Sequence, residues 1–448
     1  MVSAAEQLAS NVNLQAFAKA KDLHQRLWFV VFALIIYRVG TYIPLPGVDP
    51  HVWGEIFQQK AGGILDMFNV FSGGALSRMS IFALNIVPYI SASIIVQMAT
   101  SMIPQLEQMK KEGGEAGRIK LNQYSRYLTV FLACIQAYGL SVGLEGMQGN
   151  AGMAVADPGM LFRFTTVVTI VGGTVFLMWL GEQITQRGIG NGTSLIIFAG
   201  IVAGLPQAFV GLLELGRQGQ FSILFMLAFL IGTVAVIAFI VFMERAQRRI
   251  PIQYPKHQVG NKLFAGQSSH LPLKLNTAGV IPPIFASSIL LLPLTIIGFA
   301  GLNQVGWLSD VSRLLAHGQP LYMTMYGVMI LFFCFFYTKV VFNPEENAEM
   351  LKKHGGFIPG IRPGDQTNAY LSSVLSRLTL IGGLYLCVVC LLPEMLMAGH
   401  EIPFYFGGTS LLIVVSVTID TVTQIQSHLV AHQYEGLIKK AKLRGGKA

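Results

Sequence analysis

The amino-acid sequence predicts an all-α membrane protein of ten transmembrane helices, and three observations carry that prediction. The 448-residue chain is 53% hydrophobic and only 12% charged, whereas a soluble chain is about 25% charged. Apolar stretches of about 20 residues, the length that crosses a hydrocarbon core of roughly 30 Å as a helix, recur along the whole chain. Most of the 31 Lys and Arg residues fall in every second connection, the asymmetry that marks the cytoplasmic side of a membrane protein.

In order, the expected spans are 24–43, 80–102, 124–145, 159–181, 190–213, 221–243, 275–300, 320–342, 372–393 and 403–428. Each is predominantly apolar with Gly, Ser or Thr interspersed, which lets backbones approach where lipid offers no hydrophobic drive for association. The stretch 1–20 is polar and lacks the apolar segment and cleavage site of a removable signal, so the first span is expected to act as its own insertion signal. The basic side takes Lys19, Lys21 and Arg26, then Lys110, Lys111, Arg118 and Lys120, and later Lys352, Lys353 and the tail from Lys439 to Lys447. An even number of spans is consistent with both termini lying on that side.

Two basic-side connections, 244–274 and 343–371, exceed the usual short link between helices. They contain Pro, Gly and aromatic residues in particular positions rather than a low-complexity bias. Two readings stay open: a docking surface, or charges that anchor topology and meet anionic lipid head groups. On the opposite side, the stretch 64–77, ILDMFNVFSGGALS, covers only about 21 Å as a helix and is too short to cross. It reads either as a re-entrant helix beside a water-filled cavity or as an interfacial helix lying flat. Gly73 and Gly74 supply a permissive bend before the next helix.

The following span sets Ile86 and Ile90 on one face at i,i+4 spacing, with Asn85, Ser91, Ser93 and Gln97 nearby, and Thr193 and Ile197 form a second such pair. On spacing alone both pairs are packing. The turn Gly188-Ile189-Gly190-Asn191-Gly192 follows no strand and belongs to no nucleotide loop. Cys387 and Cys390 form a C-x-x-C, but with no second pair or nearby His it reads as structural, as do Cys134 and Cys334. Arg38, Glu182, Lys339, Arg377 and Asp420 lie towards span ends, where long side chains reach the interface. No buried relay of carboxylates or histidines is visible, which counts against the alternative of a secondary solute or ion transporter. Nor does any nucleophile elbow, H-E-x-x-H or aspartate pair point to an intramembrane hydrolase.

Several segments in order carry a resemblance: YRVG (37–40), IPLPG (43–47), MFNVFSGGALSRMSIFAL (67–84), VPYISASII (87–95), MWLGEQIT (178–185), RGIGNG (187–192), VIPPIFASS (280–288), FNPEE (342–346), PGIRPG (359–364) and PFYFGGTSLLIVV (403–415). Over nearly its whole length the chain resembles the SecY family, the channel-forming subunits of the bacterial Sec protein translocase. That resemblance implies two pseudo-symmetric halves of five helices, 1–215 and 216–448, around a central pore in the bacterial plasma (inner) membrane. It implies a pore ring of Ile86, Ile90, Thr193, Ile197, Ile284 and Ile413, in which Thr193 departs from the aliphatic pattern. The stretch 64–77 matches the family's plug, with Ile64, Leu65, Met67, Phe68 and Phe71 as its apolar residues and Gly73 and Gly74 as a hinge. Ser91, Gln97 and Asn276 match polar positions of a lateral gate through which apolar segments leave into lipid. Arg245, Arg248, Arg249 and Lys256 in one long loop and Arg362 in the other match contacts to a cytoplasmic partner. The partners so implied are the SecA motor ATPase, the ribosome with its RNA, the small membrane subunits SecE and SecG, unfolded signal-bearing polypeptides and membrane lipids. No cofactor or metal and no bond chemistry is implied for the chain itself.

Overall fold

The computed structural model describes residues 20–59, 69–112, 114–149, 152–219, 222–254, 257–259, 262–264, 268–299, 314, 319–399 and 407–445. Helix α1 (Lys21–Gly40) leads through a turn to the short α2 (Pro50–Gln59). After it come α3 (Val87–Met102), α4 (Pro104–Glu112), α5 (Gly114–Glu145), the antiparallel two-residue strands β1 (Gln148–Gly149) and β2 (Gly152–Met153), α6 (Met160–Arg187), α7 (Gly192–Arg217) and α8 (Ile223–Arg245). The later helices are α9 (Ile281–Phe299), α10 (Pro320–Val341), α11 (Pro344–Lys353), α12 (Asp365–Gly399) and α13 (Gly408–Gly445).

Among the described residues, eight helices are long and apolar enough to cross a membrane: α1, α5, α6, α7, α8, α10, α12 and α13. A ninth arises if α3 is joined to α4, from which it is bent by 102°. The apolar α9 completes the run of spans, with its side chains described as far as Leu290. Local chemistry accounts for the starts. Pro88 and Pro320 occupy the first turns of α3 and α10, where a missing N–H costs nothing. Asn191 caps α7 by accepting from the Thr193 N–H at 3.1 Å, and Ser222 caps α8 by accepting from the Phe225 N–H at 3.2 Å.

The main packing contacts close on themselves. The sequence of neighbours is α5, α6, α7, α13, α12, α10, α9 and back to α5, with α3 wedged between α5 and α9. One large apolar cluster runs through this ring and includes residues from all these helices. Besides the consecutive helices α7 and α8, two seams among the described residues join the helices before residue 215 to those after it: α3 and α5 meet α9 on one side, and α1 and α7 meet α13 on the other.

Several expected boundaries are corrected. The second span begins at Val87 rather than 80, because 80–86 run as turns with Asn85 at φ +49. Those turns lie against α6, where Gly173 leaves room for the Ile81 carbonyl. The helix expected over 64–77 is, in its described part, helical only at 69–71. Gly73 and Gly74, with φ of +65 and +82, turn the chain into a conformation no helix continues. Ile64, Leu65, Met67 and Phe68 lie outside the described residues. The third span starts early, at Gly114, and the ninth at Asp365.

The two long connections are not bare loops. The first is an antiparallel β-ribbon: β3 (Gln247–Gln253) pairs with β6 (Ser268–Lys274), and β4 (His257–Val259) with β5 (Lys262–Phe264). Ile250 and Ile252 on β3 are buried while their neighbours are exposed, the alternation of a strand with one covered face. The second connection holds α11, capped by Asn343 with Glu345 and Glu346 in its first turn and Lys352 and Lys353 in its last, the charge order that suits a helix dipole.

Candidate functional site: a cavity inside the helix ring

A cavity of about 590 Å³ lies inside the ring of helices. Its walls come from α3, α5, α6, α7, α9, α10 and α13. Ile90, Thr193, Ile197 and Ile284 all line it, so residues 194 positions apart in sequence converge on one space. Ile86 and Ile413 are fully buried in the same apolar cluster and do not line the cavity. The seat of Thr193 and Ile197 follows from the turn before α7. Gly192 packs so closely on Gly181 of α6 that a side-chain carbon there would run into the Gly181 carbonyl. Thr185 Oγ1 donates to the Gly181 carbonyl and accepts from the Gly192 N–H, each at 2.9 Å. The first turn of α7 is therefore pinned to α6, and Thr193 is carried to the cavity wall.

Ile281 and Phe285 add to the apolar part of the wall, and the rest carries polar side chains. Gln97, Asn122, Thr185, Gln186, Asn191 and Gln424 line it. Arg126 on α5 and Glu182 on α6 also line it and form a two-pronged ion pair, Nε to Oε1 at 2.9 Å and Nη2 to Oε2 at 2.7 Å. Both side chains are partly open to solvent, so water screens the pair and it contributes little stability. Its effect is to keep two charges in fixed positions on the wall. Sequence reading missed this pair because its members stand far apart in the chain and share no local motif. At the other end of the α5–α6 hairpin, Arg163 Nη2 donates to Glu145 Oε2 at 2.6 Å, while Glu145 Oε1 accepts from the Gly159 N–H at 3.0 Å.

Thr193 is half-buried, and among the described residues its hydroxyl makes no hydrogen bond back to its own helix. The expected gate residues separate. Gln97 lines the large cavity and donates to Ser93 Oγ at 3.1 Å. Asn276 instead lines a second cavity of about 240 Å³ and donates to Glu244 Oε1 at 2.7 Å and to the Gly279 carbonyl at 3.0 Å. Ser91 is buried on α3 and lines neither.

On the side of the long connections, Phe357 and Gln253 exchange two backbone hydrogen bonds, at 2.9 and 3.0 Å. A small apolar core of Ile250, Leu273, Ile358, Leu371, Val374 and Leu378 lies beneath. The two connections thus form one folded unit. Arg245, Arg248, Arg249 and Arg362 stand exposed on it, and Lys256 lies outside the described residues.

A family model described as SecY matches residues 80–422. The protein translocase subunit SecY of Vibrio cholerae is 55% identical over 428 residues, covering 95% of this chain and 96% of that protein. The subunit of the same name from Escherichia coli K12 is 54% identical over 425 residues, covering 95% and 96%. Among solved structures, one described as a protein conducting channel superposes with a TM-score of 0.64 at 19% identity, covering 90% of this chain and 92% of that one. Sec61 from a canine ribosome–channel complex gives 0.63 at 19% identity, with the same coverage.

Proposed function

The chain belongs to the SecY family, and from that premise we propose how its ring of helices carries out protein translocation. The chain is a multi-pass membrane protein and the channel subunit of a protein translocase. Its large cavity is the cytoplasmic vestibule of the pore, and the waist is formed by Ile86, Ile90, Thr193, Ile197, Ile284 and Ile413. The observation that carries this reading is the convergence of Ile90, Thr193, Ile197 and Ile284 on one cavity from three different helices. The polar side chains of the wall suit a hydrated, extended polypeptide, and a narrow apolar waist holds water poorly, so ions stop where a chain passes. The stretch 64–77 serves as the plug of the channel.

The lateral gate is the seam where α3 and α5 meet α9, with Gln97 at its polar edge, Ser91 on α3 and Asn276 in the bend that leads into α9. A segment in the pore samples lipid through that seam and leaves when it is apolar enough, while polar sequence continues across. The halves 1–215 and 216–448 move relative to each other at this seam. Energy comes from a partner that docks on the folded unit bearing Arg245, Arg248, Arg249 and Arg362, with Lys256 of the same connection as a further contact. Its exposed guanidinium groups suit the acidic surface of a motor such as SecA, or ribosomal RNA by phosphate attraction that weakens with salt. SecE and SecG pack on the lipid-facing surface, where α8 exposes Leu224, Leu227, Leu230, Ile231 and Val234. The chain sits in the bacterial plasma (inner) membrane with both termini cytoplasmic and takes no cofactor.

The test replaces Ile86, Ile90, Ile197 and Ile284 together with Gly in the reconstituted complex. Idle ion conductance in planar bilayers is expected to rise at least about tenfold as the waist wets. Conductance equal to that of the parent chain removes the waist from these residues.

A further inference from the structure

The wall of the large cavity is nearly free of charge. Among the described residues that line it, Arg126 and Glu182 alone carry ionised side chains, and the other polar side chains are amides and hydroxyls. Charge is concentrated elsewhere. The adjoining cavity of about 240 Å³ is lined by Glu244, Lys274 and Asp420, and a third, of about 200 Å³, by Lys110 and Arg118.

The two charges of the large cavity occupy each other. Arg126 Nε and Nη2 donate to the two different carboxylate oxygens of Glu182, the parallel fork that suits a guanidinium and a carboxylate. Their side chains are 45% and 27% exposed, so a polypeptide in the cavity can reach them. Glu182 stands on a fixed turn: its neighbour Gly181 is packed on Gly192, and Thr185 of the same turn accepts from the Gly192 N–H. At this exposure the pair adds little stability, and its consequence is electrostatic. A cleft lined by charge of one sign concentrates groups of the opposite sign. In a vestibule that an unfolded chain must thread, a lone guanidinium would retain acidic client segments and a lone carboxylate would retain basic ones. While paired, each arm must lose its partner before it can bind a client group, so neither sign is held.

We propose that Arg126 and Glu182 are specificity-determining residues of the vestibule, a self-neutralised pair that lets client segments of either charge pass without being retained. The proposal rests on the channel reading above and adds to it the charge tolerance of the path.

The test uses the complete translocase in vesicles with no membrane potential, because a potential acts on client charges directly. Three signal-bearing clients differ only in a block of Glu, Lys or Gln. Export rates are compared between clients within each variant, so a general loss of activity cancels. Glu182→Gln frees Arg126 and is expected to slow the Glu-block client about threefold relative to the Gln-block client, the scale of one exposed ion pair. Arg126→Gln is expected to slow the Lys-block client by a similar factor. Both effects shrink in high salt, as screening requires. Combining Arg126→Gln with Glu182→Gln returns the client ratios to those of the parent. Ratios that stay at the parent's in both single variants, or that shift alike for both client charges, overturn the proposal, as does a double variant that keeps the sign dependence. A photo-crosslinking side chain in place of Gln186, which lines the same cavity, is expected to capture a client arrested in transit. No capture overturns the vestibule reading itself, whereas capture with unshifted ratios overturns only the role of the pair.

Discussion

At the scale of single residues, Thr193 shows most directly how chemistry reaches the cavity wall. It is half-buried, one of four residues that converge there, and among the described residues its hydroxyl makes no hydrogen bond to its own helix. A hydroxyl facing the cavity holds water where the proposed waist is otherwise aliphatic. Thr193→Val keeps the shape and removes that group, so idle ion conductance in planar bilayers is expected to fall severalfold with client export retained. Conductance equal to the parent's would show that this sector is already dry. Ile90, Ile197, Ile284 and Thr193 were legible in the sequence only through family resemblance, because i,i+4 spacing says which residues share a helix face and not what that face meets. Arg126 and Glu182 were not legible as a pair, since their bond depends on how α5 packs on α6. Tyr37, Trp53 and Asn85, which donate to the carbonyls of Ser72, Leu76 and Phe71, were hidden for the same reason: a side chain that serves a distant carbonyl leaves no local pattern.

At the scale of elements, hydropathy found the spans well and their ends less well. Apolar length sets where a helix must be, but turns such as 80–86 are apolar too, so composition cannot separate them from the helix that follows. The ribbon of β3 and β6 was missed because its charges dominated the reading of 244–274, although the alternation around Ile250 and Ile252 is present in the sequence. Joined to the second connection by the Gln253–Phe357 backbone pair, the ribbon presents its arginines on a surface with a core of its own. A docking surface transmits force only if it is rigid relative to the helices it moves. Phe357→Pro deletes the N–H that donates to Gln253 and uncouples the two connections. Membrane insertion of the chain is expected to be normal, while motor-driven export falls at least about threefold and protease cuts the ribbon more readily, consistent with one lost backbone hydrogen bond. Unchanged export with a loosened ribbon would separate docking from this fold.

At the scale of the whole molecule, a closed ring of helices with two seams has one consequence. If the seam at α9 opens sideways, the seam at α7 and α13 must hold or act as the pivot. The structure supplies a specific tie at that second seam: the Gly190 N–H in the turn before α7 donates to Gln424 Oε1 on α13 at 2.8 Å. Gly190 has φ +94 and lies against Leu195 and Thr421, so the turn cannot readily swing its N–H to another partner. Gln424→Leu keeps the bulk and removes the acceptor, leaving that N–H unpaired at a cost of about 1–3 kcal/mol. The cost falls on the closed arrangement, in which the tie is made. It therefore narrows the free-energy gap to any arrangement in which the two halves have shifted. In a partitioning assay with a graded series of client segments, the hydrophobicity needed for release into lipid is expected to drop by about 1 kcal/mol, roughly the contribution of two or three central Leu residues on the insertion scale. A threshold that stays in place would mean that the bond survives gate opening, which would make this seam the fixed pivot of the channel.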